Sequence, residues 1–348
     1  MLDANKTILQ LRDPYNHPFR IPHNAFSIEI ECEGNHLALP TGRTPLWDIT
    51  NDHSLRGESC EYRLIEPVPI TKLKDVLDQW NILQQKSDIN YRSKRTSTHV
   101  HVNFNDKTIL QTFTACVTFW FLENLLLKFC DEDRTANLFC LRLEDANEHL
   151  ADILNVARNK KQFPNMWYDN GRYANLNLMA LSKFGSLEVR CMDGNASRPR
   201  LDMWIKTIHS ILTKSIAFEN PAKLLEFYDQ HGPEALLKFL LPIDIVDYWL
   251  EIPNSADYID ENYSFLLLIV SSTGSWDEYD EDFDKDNQDL MYQPLNNFLN
   301  PYHRDGDEEA NERLQQEEEE LAMEMEDEDA DLVANWDDEE EEEEGEED

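Results

Sequence analysis

A chain of 348 residues with 70 acidic against 31 basic side chains carries a formal charge of −39. The charge is concentrated: residues 304–348 hold 26 acidic and 2 basic side chains, residues 275–289 hold 8 and 1, and residues 1–274 carry only −8. A mildly acidic body without a basic stripe argues against a nucleic-acid ligand, because phosphate backbones are bound by clustered Lys and Arg.

The six cysteines, at 32, 60, 116, 130, 140 and 191, form no CxxC pair and no zinc-ligand spacing. They read as reduced core thiols of a cytoplasmic protein. Residues 1–20 are polar and punctuated by proline, unlike a signal peptide. The most apolar run, Ile109 to Phe129, is interrupted by Gln111, Glu123, Asn124 and Lys128. It reads as a buried helix and not as a membrane span.

In chain order, residues 1–25 form an irregular lead-in with Pro14, Pro18 and Pro22. In residues 26–33, apolar side chains at 26, 28, 30 and 32 alternate with Ser27, Glu29, Glu31 and Glu33, the period of a strand. Residues 40–45 read as a loop, 47–50 as a short strand, 51–54 as a turn and 58–66 as a strand ended by Pro67 and Pro69. Thr71 is expected to cap a helix over 72–86, and Asn105-Asp106 a long helix to about Phe129. Between them, residues 96–104 alternate as a strand.

Short helices are expected at 138–143 and 147–155, then two strands at 173–181 and 185–192 joined by residues 182–184. Helices follow at about 200–218, 221–231 and 234–250, with breaks at Gly232-Pro233 and Pro242. Residues 254–303 read as a mixed, partly disordered connection. The tail is low in complexity and like-charged, so disorder is its expected state. No internal repeat is visible. The expected organisation is a lead-in over 1–25, a catalytic domain over 26–270, an acidic connection over 271–303 and a disordered acidic tail over 304–348.

Three stretches carry candidate chemistry. Glu29, Glu31 and Glu33 share one strand face at steps of about 6.5–7 Å. Like charges so placed repel unless a cation lies between them, and carboxylate oxygens suit Mg²⁺ or Mn²⁺. An acidic outer strand face bathed in water would show the same pattern. His99, His101 and Asn103 share a face of the second alternating strand, and imidazoles ligate divalent metals. Glu188 and Arg190 project together from the 185–192 strand. They suit either a solvated ion pair, or a metal ligand beside an Arg whose planar fork fits phosphate or carboxylate. Glu58 and Glu61 read by themselves as surface acids.

Taken in order, these motifs resemble the amidoligase family of phages and bacteria, which belongs with the glutamine synthetase-like carboxylate–amine ligases. The residues that carry the resemblance are Phe26-Ser27-Ile28-Glu29-Ile30-Glu31, Asp52-His53-Ser54-Leu55, Glu61, Thr98-His99-Val100-His101-Val102, Arg172-Tyr173-Ala174-Asn175-Leu176-Asn177-Leu178 and Gly185-Ser186-Leu187-Glu188-Val189-Arg190. They span roughly residues 24–200.

The resemblance implies an α+β fold with a curved antiparallel sheet of the glutamine synthetase-like type, helices on its other face, and ATP with Mg²⁺ or Mn²⁺ as cofactors. It implies Glu29, Glu31, Glu61, His99 and Glu188 as metal ligands and Arg190 on a nucleotide or acyl phosphate. His101, Asn103 and Arg172 would line the substrate or support the ligands. Ser27 stands where the family usually has Gly, and Cys191-Met192-Asp193-Gly194 replaces a more basic run. The acidic tail is outside the family pattern.

The implied activity is ATP-dependent amide formation through an acyl phosphate, between a carboxylate and an amine on a small molecule or peptide. Such phosphoryl transfer needs positioning and charge neutralisation more than covalent help. No Gly-rich Walker loop occurs, consistent with a sheet-borne metal site. Two other readings of the same residues stay open: a metal-dependent hydrolase, and a non-catalytic scaffold whose acidic tail binds a basic protein.

Overall fold

Alternation in β1 (Phe26–Gly34) decides the architecture, because it gives one strand a fully buried apolar side at Phe26, Ile28 and Ile30 and a polar side at Ser27 and Glu29. The structure, a computed structural model, describes residues 7–11, 22–34, 42–50, 55, 58–86, 95–134, 140–143, 174–194 and 196–272. The expected turn at 51–54, the helix at 147–155, Arg172, most of the connection and the whole tail lie outside the described residues.

Among the described residues, seven strands form one antiparallel sheet: β1, β2 (Gly42–Arg43), β3 (Trp47–Thr50), β4 (Glu58–Leu64), β5 (Ser97–Asn103), β6 (Leu176–Asn177) and β7 (Ser186–Asp193), in the order β2-β3-β4-β1-β5-β7-β6. β1 is flanked by β4 and β5, with Glu31 opposite Glu61 and Glu29 opposite His99. β5 pairs with β7, His101 opposite Glu188, and the register shifts between Thr98 and Val100.

Helices complete the α+β fold: α1 (Ile8–Leu11), α2 (Leu73–Lys86), α3 (Ile109–Leu127), α4 (Met179–Phe184), α5 (Arg198–Lys214), α6 (Pro221–Leu240), α7 (Val246–Leu250) and α8 (Ser255–Ser272). Trp80 of α2 meets Tyr62 edge-on at 5.2 Å and Trp47 at 5.4 Å, so α2 covers the apolar sheet face. α3 packs against α5, α6 and α8, and nearly all its residues are buried by protein. It is long and apolar enough to cross a membrane, but here it is a core helix.

Several expectations are corrected. α2 is preceded by a 3-10 turn, Ile70–Lys72, and Thr71 lies inside that turn instead of capping the helix. α3 is capped by Thr108, whose hydroxyl accepts from the Gln111 amide while Gln111 reaches back to the Thr108 amide. Asn105 instead closes a turn on the Asn103 side chain. The strand expected at 173–181 stops at Asn177, because Asn177 Oδ1 accepts from the Met179 amide and turns the chain into α4. Gly185, at φ 71°, then ends α4 in the left-handed conformation. Leu141, expected in a helix, makes a parallel bridge to Ala174.

α6 runs through Pro233 as two segments joined by Gly232, whose φ of 77° marks the kink. The largest difference is α8, a helix where the sequence reads as part of a mixed, partly disordered connection over 254–303. Ile259, Leu266 and Ile269 are fully buried at helical spacing, and Asn262 donates to Trp120 O at 3.0 Å. A partner surface on α3 decided the helix, where local composition read as irregular.

Candidate active site

The polar face of β1, β4, β5 and β7 gathers the chemistry. Because directly opposite residues of an antiparallel pair lie about 4.5–5.5 Å apart at Cβ, the registers of Glu29 with His99 and of His101 with Glu188 place these four side chains in one cluster. Glu188 and both histidines are buried, and Glu29 is half-buried.

Each imidazole is held by a serine. Ser97 Oγ lies 2.6 Å from His99 Nε2, and Ser186 Oγ lies 3.1 Å from His101 Nδ1. The remaining nitrogens, His99 Nδ1 and His101 Nε2, are buried and have no hydrogen-bond partner among the described residues. Both face the same carboxylates. His99 Nδ1 is 3.5 Å from Glu29 Oε2 and 3.4 Å from Glu188 Oε1, and His101 Nε2 is 3.6 Å from Glu29 Oε1 and 4.0 Å from Glu188 Oε1. These separations exceed ordinary hydrogen bonds. They match the edges of a coordination shell, where ligands about 2.1 Å from a cation stand roughly 3–4 Å from one another.

Glu29, His101 and Glu188 each offer a ligand atom within 4.8 Å of the others. Orphaned imidazole nitrogens, oxygen-rich neighbours and hydroxyls fixing the far side of each ring fit a divalent cation.

Electrostatics agree with the geometry. Burial opposes ionisation of Glu29, but His101 and His99 outweigh it and hold its carboxyl far below the usual range. Burial also opposes the Glu188 charge, and His101, Arg190 and His99 overcome it, so that carboxyl too is held low. Burial pulls the His101 pKa down, while Glu188 and Glu29 push harder and leave it raised.

Other expected site residues sit as follows. Arg190 donates from Nη1 to Glu188 Oε1 at 2.7 Å, and its buried Nε has no partner among the described residues. Glu31 accepts from the Ser97 amide at 2.9 Å and the Ser97 hydroxyl at 2.6 Å, with Oε1 3.8 Å from His99 Nε2. Glu61 lies opposite Glu31, 3.9 Å from Arg63. Asn103 is not brought to the cluster: its amide donates to Pro22 O at 2.9 Å and its carbonyl accepts from Asn105. The resemblance implies His99 as a ligand and His101 as lining the substrate or supporting the ligands; the geometry groups His101 with Glu29 and Glu188 and turns His99 Nδ1 toward the same pair.

Three residues escaped the sequence reading. Asn177 Nδ2 donates to Glu188 Oε2 at 2.7 Å. Ser97 and Ser186 anchor the imidazoles. Ser97 stands two positions before His99 on the same strand face, a signal alternation supplies. Ser186 and Asn177 lie within motifs that carry the resemblance, but their contacts with His101 and Glu188 follow from the β5–β7 and β6–β7 registers.

The region from Glu61 to Leu212 matches the family model described as "Putative amidoligase enzyme". No curated protein matches the sequence. Among solved structures, a bifunctional glutathione synthetase from Pasteurella multocida is similar at a TM-score of 0.34 and 11% identity. That likeness covers 80% of this chain and 51% of the other, so this chain spans about half of that structure's length. The family match begins at Glu61 and does not include Glu29 and Glu31.

Proposed function

We propose, for a chain that carries the amidoligase family's sequence over residues 61–212, that this sheet face joins a carboxylate to an amine using ATP. The observation that carries the reading is the pair of orphaned nitrogens, His99 Nδ1 and His101 Nε2, facing Glu29 and Glu188 beside Arg190. Glu29, His101 and Glu188 would hold Mg²⁺ or Mn²⁺, with His99, Glu31 and Glu61 as further ligands. When bound, the cation supplies neutralisation of phosphate charge.

The protein's own groups have distinct parts in this reading. Asn177 donates to Glu188 Oε2 and would hold that carboxylate in place when Arg190, which donates to Oε1, moves to the substrate. Ser97 and Ser186 would fix ring orientation, and a neutral ring that keeps its proton on the serine side would turn a lone pair to the gap. Arg190 is placed to turn from Glu188 onto a phosphate oxygen, where a guanidinium stabilises charge as it develops. The substrate carboxylate oxygen attacks the γ-phosphorus and ADP departs. The amine then attacks the acyl carbon and inorganic phosphate leaves.

Arg172 and Asn103 remain candidates for substrate and nucleotide contact. The glutamine synthetase-like sheet type, a cytoplasmic location and a basic protein partner for the acidic tail belong to the same proposal.

Calorimetry with ATP and a non-hydrolysable analogue, with and without Mg²⁺ or Mn²⁺, tests it. Metal-dependent nucleotide binding, lost in E29A and R190A, is the expected result. Absent nucleotide binding, or binding indifferent to both substitutions, overturns the ligase. Metal binding without nucleotide would shift the site to hydrolysis.

A further inference from the structure

Of the two serine-held imidazoles, only one has its proton assigned by a third group. The β1–β5 ladder stays in register as far as Ile30 opposite Thr98. The next pair would set Glu31 opposite Ser97, and there a side chain takes over. Glu31 Oε2 accepts from the Ser97 amide at 2.9 Å and from the Ser97 hydroxyl at 2.6 Å. The same hydroxyl oxygen lies 2.6 Å from His99 Nε2. Glu31, Ser97 and His99 are all buried.

Two contacts this short each need a proton between the heavy atoms. The serine hydroxyl has one to give, and an ionised carboxylate has none. The hydroxyl proton therefore goes to Glu31, and the second proton comes from the ring. His99 is a donor at Nε2, so a neutral ring carries its lone pair at Nδ1. That nitrogen is the one 3.5 Å from Glu29 Oε2 and 3.4 Å from Glu188 Oε1. Glu31 Oε1, 3.8 Å from Nε2, adds negative charge on the side that holds the proton. His101 differs. Its Nδ1 lies 3.1 Å from Ser186 Oγ, and among the described residues no carboxylate takes the Ser186 proton. That hydroxyl can donate or accept.

We infer that Ser97 is a positioning residue that links Glu31 to His99 and fixes the Nε2–H tautomer, making Nδ1 a ready ligand for a divalent cation. This rests on the cation-dependent ligase reading above. Ser97 itself touches neither the cation nor a substrate. A hydrogen bond that orients the far nitrogen of a ligating imidazole is worth about 10–100-fold in metal affinity.

Two measurements on the full chain test it. In metal-free protein labelled with ¹⁵N-histidine, at a pH where the ring is neutral, long-range ¹H–¹⁵N spectra report which nitrogen holds the proton. His99, assigned by the signal lost in H99Q, is expected as the Nε2–H tautomer in wild type. S97A and E31A are expected to lose that single tautomer, S97T to keep it, and S186A to leave it unchanged. Calorimetry with Mn²⁺ alone is expected to show at least tenfold weaker binding in S97A, most of it recovered in S97T. Circular dichroism of each variant reports folding. A wild-type His99 with its proton on Nδ1 overturns the assignment, as does a tautomer or an Mn²⁺ affinity that S97A leaves unchanged. If wild type binds no Mn²⁺, the assignment falls with the cation site. A fixed tautomer and Mn²⁺ binding without nucleotide binding uphold the Ser97 role and overturn the ligase alone.

Discussion

One sheet presents two faces built from the same strands, and they treat an imidazole in opposite ways. On the polar face, burial lowers the His101 pKa but Glu188 and Glu29 outweigh it and leave it raised. Behind the apolar face, burial lowers the His209 pKa and its hydrogen bond with Asn24 O only partly offsets this, so the neutral ring is favoured. Both rings are buried or nearly so. The difference lies in the neighbours, two carboxylates for one and a backbone carbonyl for the other. Burial alone therefore does not set the charge preference of a histidine; the convergence of opposite charge around it does.

The widest separation between the faces should appear with W80A. It removes a fully buried ring lying against Tyr62 and Trp47. A loss of about 3–5 kcal/mol in urea unfolding is expected. Nothing on the polar face should approach that, and a comparable loss in E29A would break the comparison.

Next in size is the cation. Mn²⁺ at about 100 times its dissociation constant should add about 2.7 kcal/mol to wild-type stability, read as a rise in Tm. E29A should abolish this rise, and T108A should leave it intact. T108A itself should cost about 1 kcal/mol, because it removes the cap accepting from the Gln111 amide. That loss should be the same with and without Mn²⁺.

The smallest effect is the pH dependence of His209. Its folded pKa lies below the ordinary value of 6.5, so its contribution is present above pH 6.5 and is lost as pH falls through the folded pKa. H209Q can still donate to Asn24 O and removes the titration. Chemical denaturation at several pH values should therefore give a flatter acid limb in H209Q.

Much of this was legible in the sequence because strand period and side-chain chemistry are local properties. Glu29 and Glu31 alternate against Ile28 and Ile30, and His99 and His101 against Val100 and Val102, so the order of residue types alone marks both polar strand faces. Helix α8 was not legible, since its helical state depends on burial of Ile259, Leu266 and Ile269 within the helical layer. The end of β6 at Asn177 was hidden too, because one side-chain hydrogen bond to the Met179 amide outweighs a strand-like pattern.

By itself the sequence determined which residues could hold a cation and which strands would carry them. The tertiary structure decided which of them meet. Pairing register set His101 against Glu188 and Glu29 against Arg63, and a one-residue slip would have turned each side chain to the other face. It also supplied Ser97, Ser186 and Asn177 as anchors. Register is fixed by the packing of a whole sheet against its helices, and no short motif contains that information.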